Sequence, residues 1–171
     1  MFGGIFMFTI SRSKIIFSIL LFSTLIYSIL FIVNVTANPT FHATVTLSEI
    51  SEAELTESIQ QEFIQENNLT TDKLRKLEVN VDVEKNWLMN SIEITIPNLV
   101  MEVDQYDGKI RSYRAGYHQG ENTAYHYVLF KYEDLSKHEL KEILQNQLIQ
   151  IEWIENGEKQ LHEINISNLL D

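Results

Sequence analysis

Residues 77–84 read Leu77-Glu78-Val79-Asn80-Val81-Asp82-Val83-Glu84, four apolar residues alternating with four polar or acidic ones. Strict period-two alternation marks a strand with one face on a core and the other in water. That half-wet condition belongs to antiparallel sheets, since parallel sheets are covered on both faces. The stretch therefore sets the fold class: an α+β domain, mainly antiparallel β-sheet.

Working outward, Phe41–Leu47 repeats the pattern, with Ala43, Val45 and Leu47 on one side and His42, Thr44 and Thr46 on the other. Downstream, Lys85-Asn86 reads as a turn and Trp87–Ile96 as a returning strand with Ile92, Ile94 and Ile96 inward, which predicts a hairpin. Pro97-Asn98 breaks the run. Leu99–Gln105 then reads as a strand, Tyr106-Asp107-Gly108-Lys109 as a turn and Ile110–Tyr117 as the strand that returns, a second hairpin over residues 99–117. His118–Asn122 reads as an exposed loop. Ala124–Tyr132 is a strand with Val128, Phe130 and Tyr132 on one face. Leu148–Ile154 and Glu158–Ile166 close as a hairpin across Asn156-Gly157, a dipeptide that takes the positive φ angles of a tight turn. The expectation is about eight strands.

Two amphipathic helices interrupt them. Ser51-x-x-Glu54 is a capping box, with Ile50 and Leu55 placed as a hydrophobic staple and Leu55, Ile59 and Phe63 along one face. Asn67-Asn68 ends that helix, and a helical turn is expected at 72–76. The second helix starts alike, with Ser136-x-x-Glu139, Leu135 with Leu140, and Leu144 continuing the stripe. Aligned, Ile50–Gln65 and Leu135–Gln150 are identical at seven of sixteen positions. A duplicated strand–helix–strand unit explains this. So does convergence on the same caps and periodicity, and the segments that follow diverge. An immunoglobulin-like β-sandwich, with the second helix as a crossover, is the alternative architecture.

Ahead of this domain lies Ile15–Val33, nineteen residues without a charge. As a helix it rises about 28 Å, close to the thickness of a bilayer's hydrocarbon core. Arg12 and Lys14 precede it and the next charge is Glu49, so the positive-inside rule places residues 1–14 in the cytoplasm and the C-terminal part outside. The expected organisation is a cytoplasmic tail (1–14), a transmembrane signal anchor (15–33), a tether (34–40) and an extracytoplasmic domain (41–171). The length of the apolar run favours a retained anchor. The Val35-Thr36-Ala37 triplet fits a peptidase, so secretion after cleavage at Ala37 is the alternative.

From Asn38 onward the chain holds 11 Lys and Arg against 24 Asp and Glu, a formal charge of −13. Nucleic acid is excluded as a partner on that ground, because a phosphate backbone needs a basic footprint. With no cysteine, disulfides, thiolate metal sites and a cysteine nucleophile are excluded as well. The partners expected are the membrane, through one spanning helix, and a protein outside the cell; no cofactor is expected.

Catalytic motifs are missing. The five histidines show no His-Glu-x-x-His spacing, although His118 and His126 flank a loop and could converge. No serine sits in a nucleophile elbow, and no glycine-rich phosphate loop occurs. Asp104-x-x-Asp107-Gly108 fails as a calcium loop because Val103 and Gln105 fall on ligand positions. The acidic pairs Asp82/Glu84 and Glu102/Asp104 are explained by strand alternation. No catalytic residue and no metal ligand is assigned. One basic and aromatic segment stands out: Lys109, Arg111, Tyr113, Arg114 and Tyr117, residue types enriched at binding hot spots. On a strand Lys109, Arg111 and Tyr113 share a face, while Arg114 needs the opposite face or a bulge. The functional expectation is a non-catalytic, membrane-anchored interaction module. A secreted or tethered hydrolase using carboxylates is the alternative.

Overall fold

The structure, a computed structural model, describes residues 12–36, 39–86, 88–106, 111–133 and 135–170. The chain divides into two compact units, residues 1–38 and 39–171.

In the first unit, helix α1 runs Arg12–Thr36. Its window Ile15–Ile32 has a mean hydropathy of 2.6, long and apolar enough to cross a membrane or to act as a signal sequence. The hydroxyls of Ser23, Thr24 and Ser28 bond back to the helix. Ser23 Oγ donates to the Leu20 carbonyl at 2.9 Å and Thr24 Oγ1 to that of Leu21 at 2.8 Å, so neither side chain presents an unsatisfied polar group.

The second unit is α+β, with seven strands in two antiparallel sheets. In chain order it contains β1 (Thr40–Ser48), α2 (Glu52–Ser58), α3 (Gln61–Glu66), β2 (Leu74–Glu84), β3 (Met89–Thr95), α4 (Leu99–Gln105), β4 (Ser112–Gln119), β5 (Thr123–Lys131), α5 (Lys137–Leu144), β6 (Leu148–Glu155) and β7 (Glu158–Asn165). One sheet has the order β1-β2-β5-β4, the other β3-β6-β7. Their inward faces share one hydrophobic cluster. Leu77, Val79 and Val81 of β2 and Phe130 of β5 meet Ile94 of β3 and Ile149 and Ile151 of β6, with Leu99 of α4 and Leu140 of α5 at its margins. Each such fully buried side chain contributes about 1.5–3 kcal/mol relative to exposure.

A second, smaller cluster lies on the other face of the four-stranded sheet. Leu74 of β2 and Leu129 of β5 point away from the main core and are buried by Ile50, Leu55, Ile59 and Leu69, with Tyr113 packed against them. Segment α2–α3 thus covers one end of the outer sheet face.

Several sequence expectations hold. Residues 77–84 form most of β2, and β6 and β7 pair across Asn156-Gly157, both at positive φ. The helical turn expected at 72–76 is confined to a 3₁₀ turn at Thr71–Lys73, since Leu74–Lys76 already belong to β2. Ser136 and Glu139 complete the capping box of α5.

Others are corrected. Strand β3 does not return beside β2. Both edges of β2 are occupied, by β1 and β5, and β3 pairs with β6 in the other sheet. Asn86 redirects the chain: its Oδ1 accepts from the N–H groups of Leu88 and Met89, and its Nδ2 donates to Glu155 at the end of β6.

Residues 99–105 are helix α4, not a strand, so the 99–117 hairpin does not form. Asn98 Oδ1 accepts from Val100 N and Met101 N, an N-cap, and Leu99 and Val103 are buried at i, i+4. The turn expected at 106–109 lies largely outside the described residues. The helix expected from Ser51 onward breaks at Ile59, which turns extended (φ −131°, ψ 139°) and is buried. Phe63 is left 42 % exposed. Among the described residues the count is therefore seven strands against the about eight expected, and four α-helices rather than two follow α1. The two similar segments serve different connections, since β1 and β2 are sheet neighbours whereas β5 and β6 lie in different sheets.

Candidate functional site

Because side chains alternate along each strand, the even positions of β2 and β1 and the odd positions of β5 face outward on the four-stranded sheet. Registers set them in rows. Thr44 lies beside Asn80, Asn80 beside Tyr125 and Tyr125 beside His118, with His42, Asp82 and Thr123 as the next row. Below these come Thr46, Glu78, Tyr127 and Gly116.

The first two rows form an open groove of about 390 Å³ across all four strands, lined by His42, Thr44, Asn80, Asp82, His118, Thr123 and Tyr125. The third row is its wall. Tyr125 Oη donates to Glu78 Oε1 at 2.5 Å, and Lys76 Nζ lies 3.0 Å from the same oxygen and 3.2 Å from Glu54 of α2. Burial, together with the hydrogen bond and charge of Glu78, pushes the Tyr125 hydroxyl up to about 12. Burial works against the Lys76 charge, but Glu78 and Glu54 outweigh it and hold that ammonium above the ordinary lysine value. Lys76 also stands 5.1 Å above the Tyr127 ring. This row links the groove to α2 and fixes the ring of Tyr125 at its rim.

Three of the singled-out residues are tied into this scaffold. Arg111 is buried; its N–H donates to Asp104 Oδ1 at 2.7 Å and its carbonyl accepts from Lys131 N. The bulge anticipated for Arg114 is present, the β4–β5 register shifting between Ser112 and Arg114. It sends the Arg114 guanidinium to the carbonyls of Glu57 and Ser58, both at 3.1 Å, at the C-terminal end of α2, where a cation complements the helix dipole. Tyr113 packs edge-on against Phe63. Tyr117 is half exposed, edge-on to His126, with its hydroxyl donating to Gln119 Oε1. Lys109 lies outside the described residues.

His118 and His126 do not converge. His118 lines the groove, whereas His126 is buried on the inward side, its Nδ1–H donating to the Pro97 carbonyl at 3.1 Å. Burial lowers its pKa, and the Pro97 bond opposes that in part. Among the described residues no three His, Asp or Glu side chains converge to hold a metal ion. A general acid needs a carboxyl raised above its ordinary value. The carboxyls of Asp72, Glu121 and Glu139 move the other way, held down first by hydrogen bonds from Thr70, Lys85 and Ser136 respectively.

No protein-family model matches the chain, and neither a curated protein nor a solved structure matches it. The groove escaped the sequence reading because its residues come from four strands. His42, Thr44, Asn80 and Asp82 were legible as outward-facing and His118 was read as loop, although it lies in β4; only the order β1-β2-β5-β4 sets them side by side.

Proposed function

We propose that this is a single-pass membrane-anchored protein whose C-terminal domain, outside the cytoplasm, works by binding rather than catalysis, with the groove of the four-stranded sheet as its site. The observation that carries the reading is the groove itself: an open surface crossing four strands, with Asp82, two histidines and one anchored tyrosine ring in its lining. Asp82 is the acid of the groove and the domain around it is acidic, so the ligand class is cationic, such as a basic peptide segment or an amine-bearing surface polymer. A tyrosine face beside a carboxylate suits an ammonium or guanidinium group.

The strand order supports an immunoglobulin-like sandwich as the architecture. Lettered A to G along the chain, the sheets read A-B-E-D and C-F-G, the arrangement of a constant-type domain, with α5 as the E–F crossover. The basic start and acidic remainder of the chain support an inside N-terminus.

The test uses the detergent-solubilised full chain and fluorescent oligo-lysine, read by anisotropy at constant salt. Asp82→Asn weakens binding several-fold, and Glu158→Gln, which removes the same charge from an exposed site on β7, leaves it unchanged. Equal effects would reduce the binding to bulk charge and remove the groove from the proposal. External protease digestion of a C-terminal tag on intact cells tests the orientation.

A further inference from the structure

The domain has four sheet edges, and three of them are interrupted. Strand β3 is short and its register with β6 shifts at Ser91, which has φ 51°. Strand β4 carries the bulge before Arg114. Strand β7 bears Glu158, Lys159 and Glu163. Charges and bulges are what keep sheet edges from pairing with other chains. Strand β1 has neither. It pairs with β2 through nine consecutive positions without a shift, and Thr40–Ser48 contains no acid, lysine, arginine or proline.

The direction of its free backbone groups follows from one bond. Val83 N donates to the Asn122 carbonyl, so Val83 faces β5 and its pair with Phe41 across β1–β2 is not hydrogen-bonded. Alternation then turns the N–H and C=O of Phe41, Ala43, Val45 and Leu47 off the sheet edge. Among the described residues no backbone or side-chain partner meets them.

We propose that β1 pairs antiparallel with β1 of a second copy about a two-fold axis at Thr44, joining the two four-stranded sheets into one. The centre of the four outward residues is Thr44, so this register places Phe41 opposite Leu47 and Ala43 opposite Val45, and again in reverse. Each pair exchanges two hydrogen bonds. On the outer face Thr44 meets Thr44, and His42 meets Thr46, with no acid opposed to acid in a domain of charge −13. That is the charge argument for a second copy: the strand without charges is the one where two acidic domains approach at least repulsion. The anchoring proposed above adds confinement, since only three residues separate the end of α1 from the start of β1; the ladder itself does not depend on it. The two grooves would then meet across the axis, Thr44 lining both.

The chain has no native thiol, so single cysteines report contacts directly. In cell membranes carrying full-length protein and treated with a mild thiol oxidant, Thr44→Cys forms a covalent homodimer, because facing residues in a non-hydrogen-bonded pair lie within disulfide reach. His42→Cys and Thr46→Cys do not when expressed singly, and do when the two variants are co-expressed. Thr44→Lys keeps the melting temperature and leaves a monomer by light scattering in detergent. A Thr44→Cys chain that stays monomeric, that links to a different protein, or that links no faster than Glu158→Cys overturns the proposal. A soluble product beginning at Asn38 would remove the anchor while leaving the cross-linking result to stand or fall alone.

Discussion

Asp104 is the residue whose removal tests the fold most directly. From the last turn of α4 its Oδ1 accepts from Arg111 N at 2.7 Å and Ser112 N at 2.8 Å, and its Oδ2 accepts from Ser112 Oγ at 2.6 Å. The carboxylate therefore fixes where β4 begins, next to the bulge that aims Arg114 at α2. Hydrogen bonds to a charged acceptor are worth about 1.5–3 kcal/mol each. Asp104 is half-buried and the three bonds share one group, so water re-enters and the losses do not add. Asp104→Ala is expected to cost about 2–4 kcal/mol, a fall of about 10 °C in Tm for a domain of this size. Asp104→Asn keeps one acceptor for the two N–H groups and should cost about half as much. Urea unfolding of the detergent-solubilised chain, followed by the fluorescence of buried Trp153, measures these values. Gln105→Ala, exposed on the same helix, is the control and should stay within about 0.5 kcal/mol. A loss below about 1 kcal/mol for Asp104→Ala would mean that β4 is held by its pairing with β5 alone.

Buried His126 makes stability depend on pH. Its folded pKa lies below the ordinary 6.5, so the unfolded chain binds the extra proton first on acidification. The contribution is fully present above about 6.5 and is lost as pH falls through the folded value. The His126→Gln chain should accordingly lose less stability between pH 7.5 and 5.5, by urea titration, than the parent. Gly116 lies beneath the Tyr127 ring, and a Cβ there would overlap Tyr127 Cε1. Gly116→Ala should destabilise the parent by about 1 kcal/mol yet be neutral or stabilising in a Tyr127→Ala background, where only the strand cost of glycine remains; an equal effect in both would refute the close approach. Asn98→Ala and Ser136→Ala each remove an N-cap and should each cost about 1 kcal/mol by the same unfolding assay.

What the sequence made legible was local. The alternation at 77–84, the capping box at Ser136 and the Asn156-Gly157 turn are each decided within a few residues, and each stands in the structure as read. The misreadings share one cause. Leu99–Gln105 has apolar residues at positions 99, 100, 101 and 103, a pattern that suits a strand or one short helix. The deciding feature was Asn98, which can equally end a strand or cap a helix. Residues 85–96 present two strands and a turn, and nothing local says that β2 has no free edge. That is settled by β5, some forty residues further on, which takes the side a hairpin would have used.

The same reasoning explains why the basic segment drew attention and the groove did not. Arginine and tyrosine are conspicuous in an acidic chain whatever their task, and here Arg114 has a task inside the fold, its guanidinium meeting the end of α2, while Arg111 is buried where the edge strand begins. Groove residues such as Thr44, Asn80 and Thr123 are inconspicuous singly, because alternation already accounts for polar residues on an outward face. What alternation does not require is that α2–α3 cover only one end of that face. The buried Leu74, Leu129 and Ile59 hold the helices at that end, and the break at Ile59 is what brings this side chain down onto the sheet. An unbroken helix would carry Leu55, Ile59 and Phe63 in one stripe; with the break, Leu55 and Ile59 are buried and Phe63 stays partly exposed at the surface, edge-on to Tyr113. The open half of the sheet therefore depends on that break, and Ile59→Glu should loosen α2–α3 and release the Glu54–Lys76 contact at the wall of the groove while leaving the main core intact.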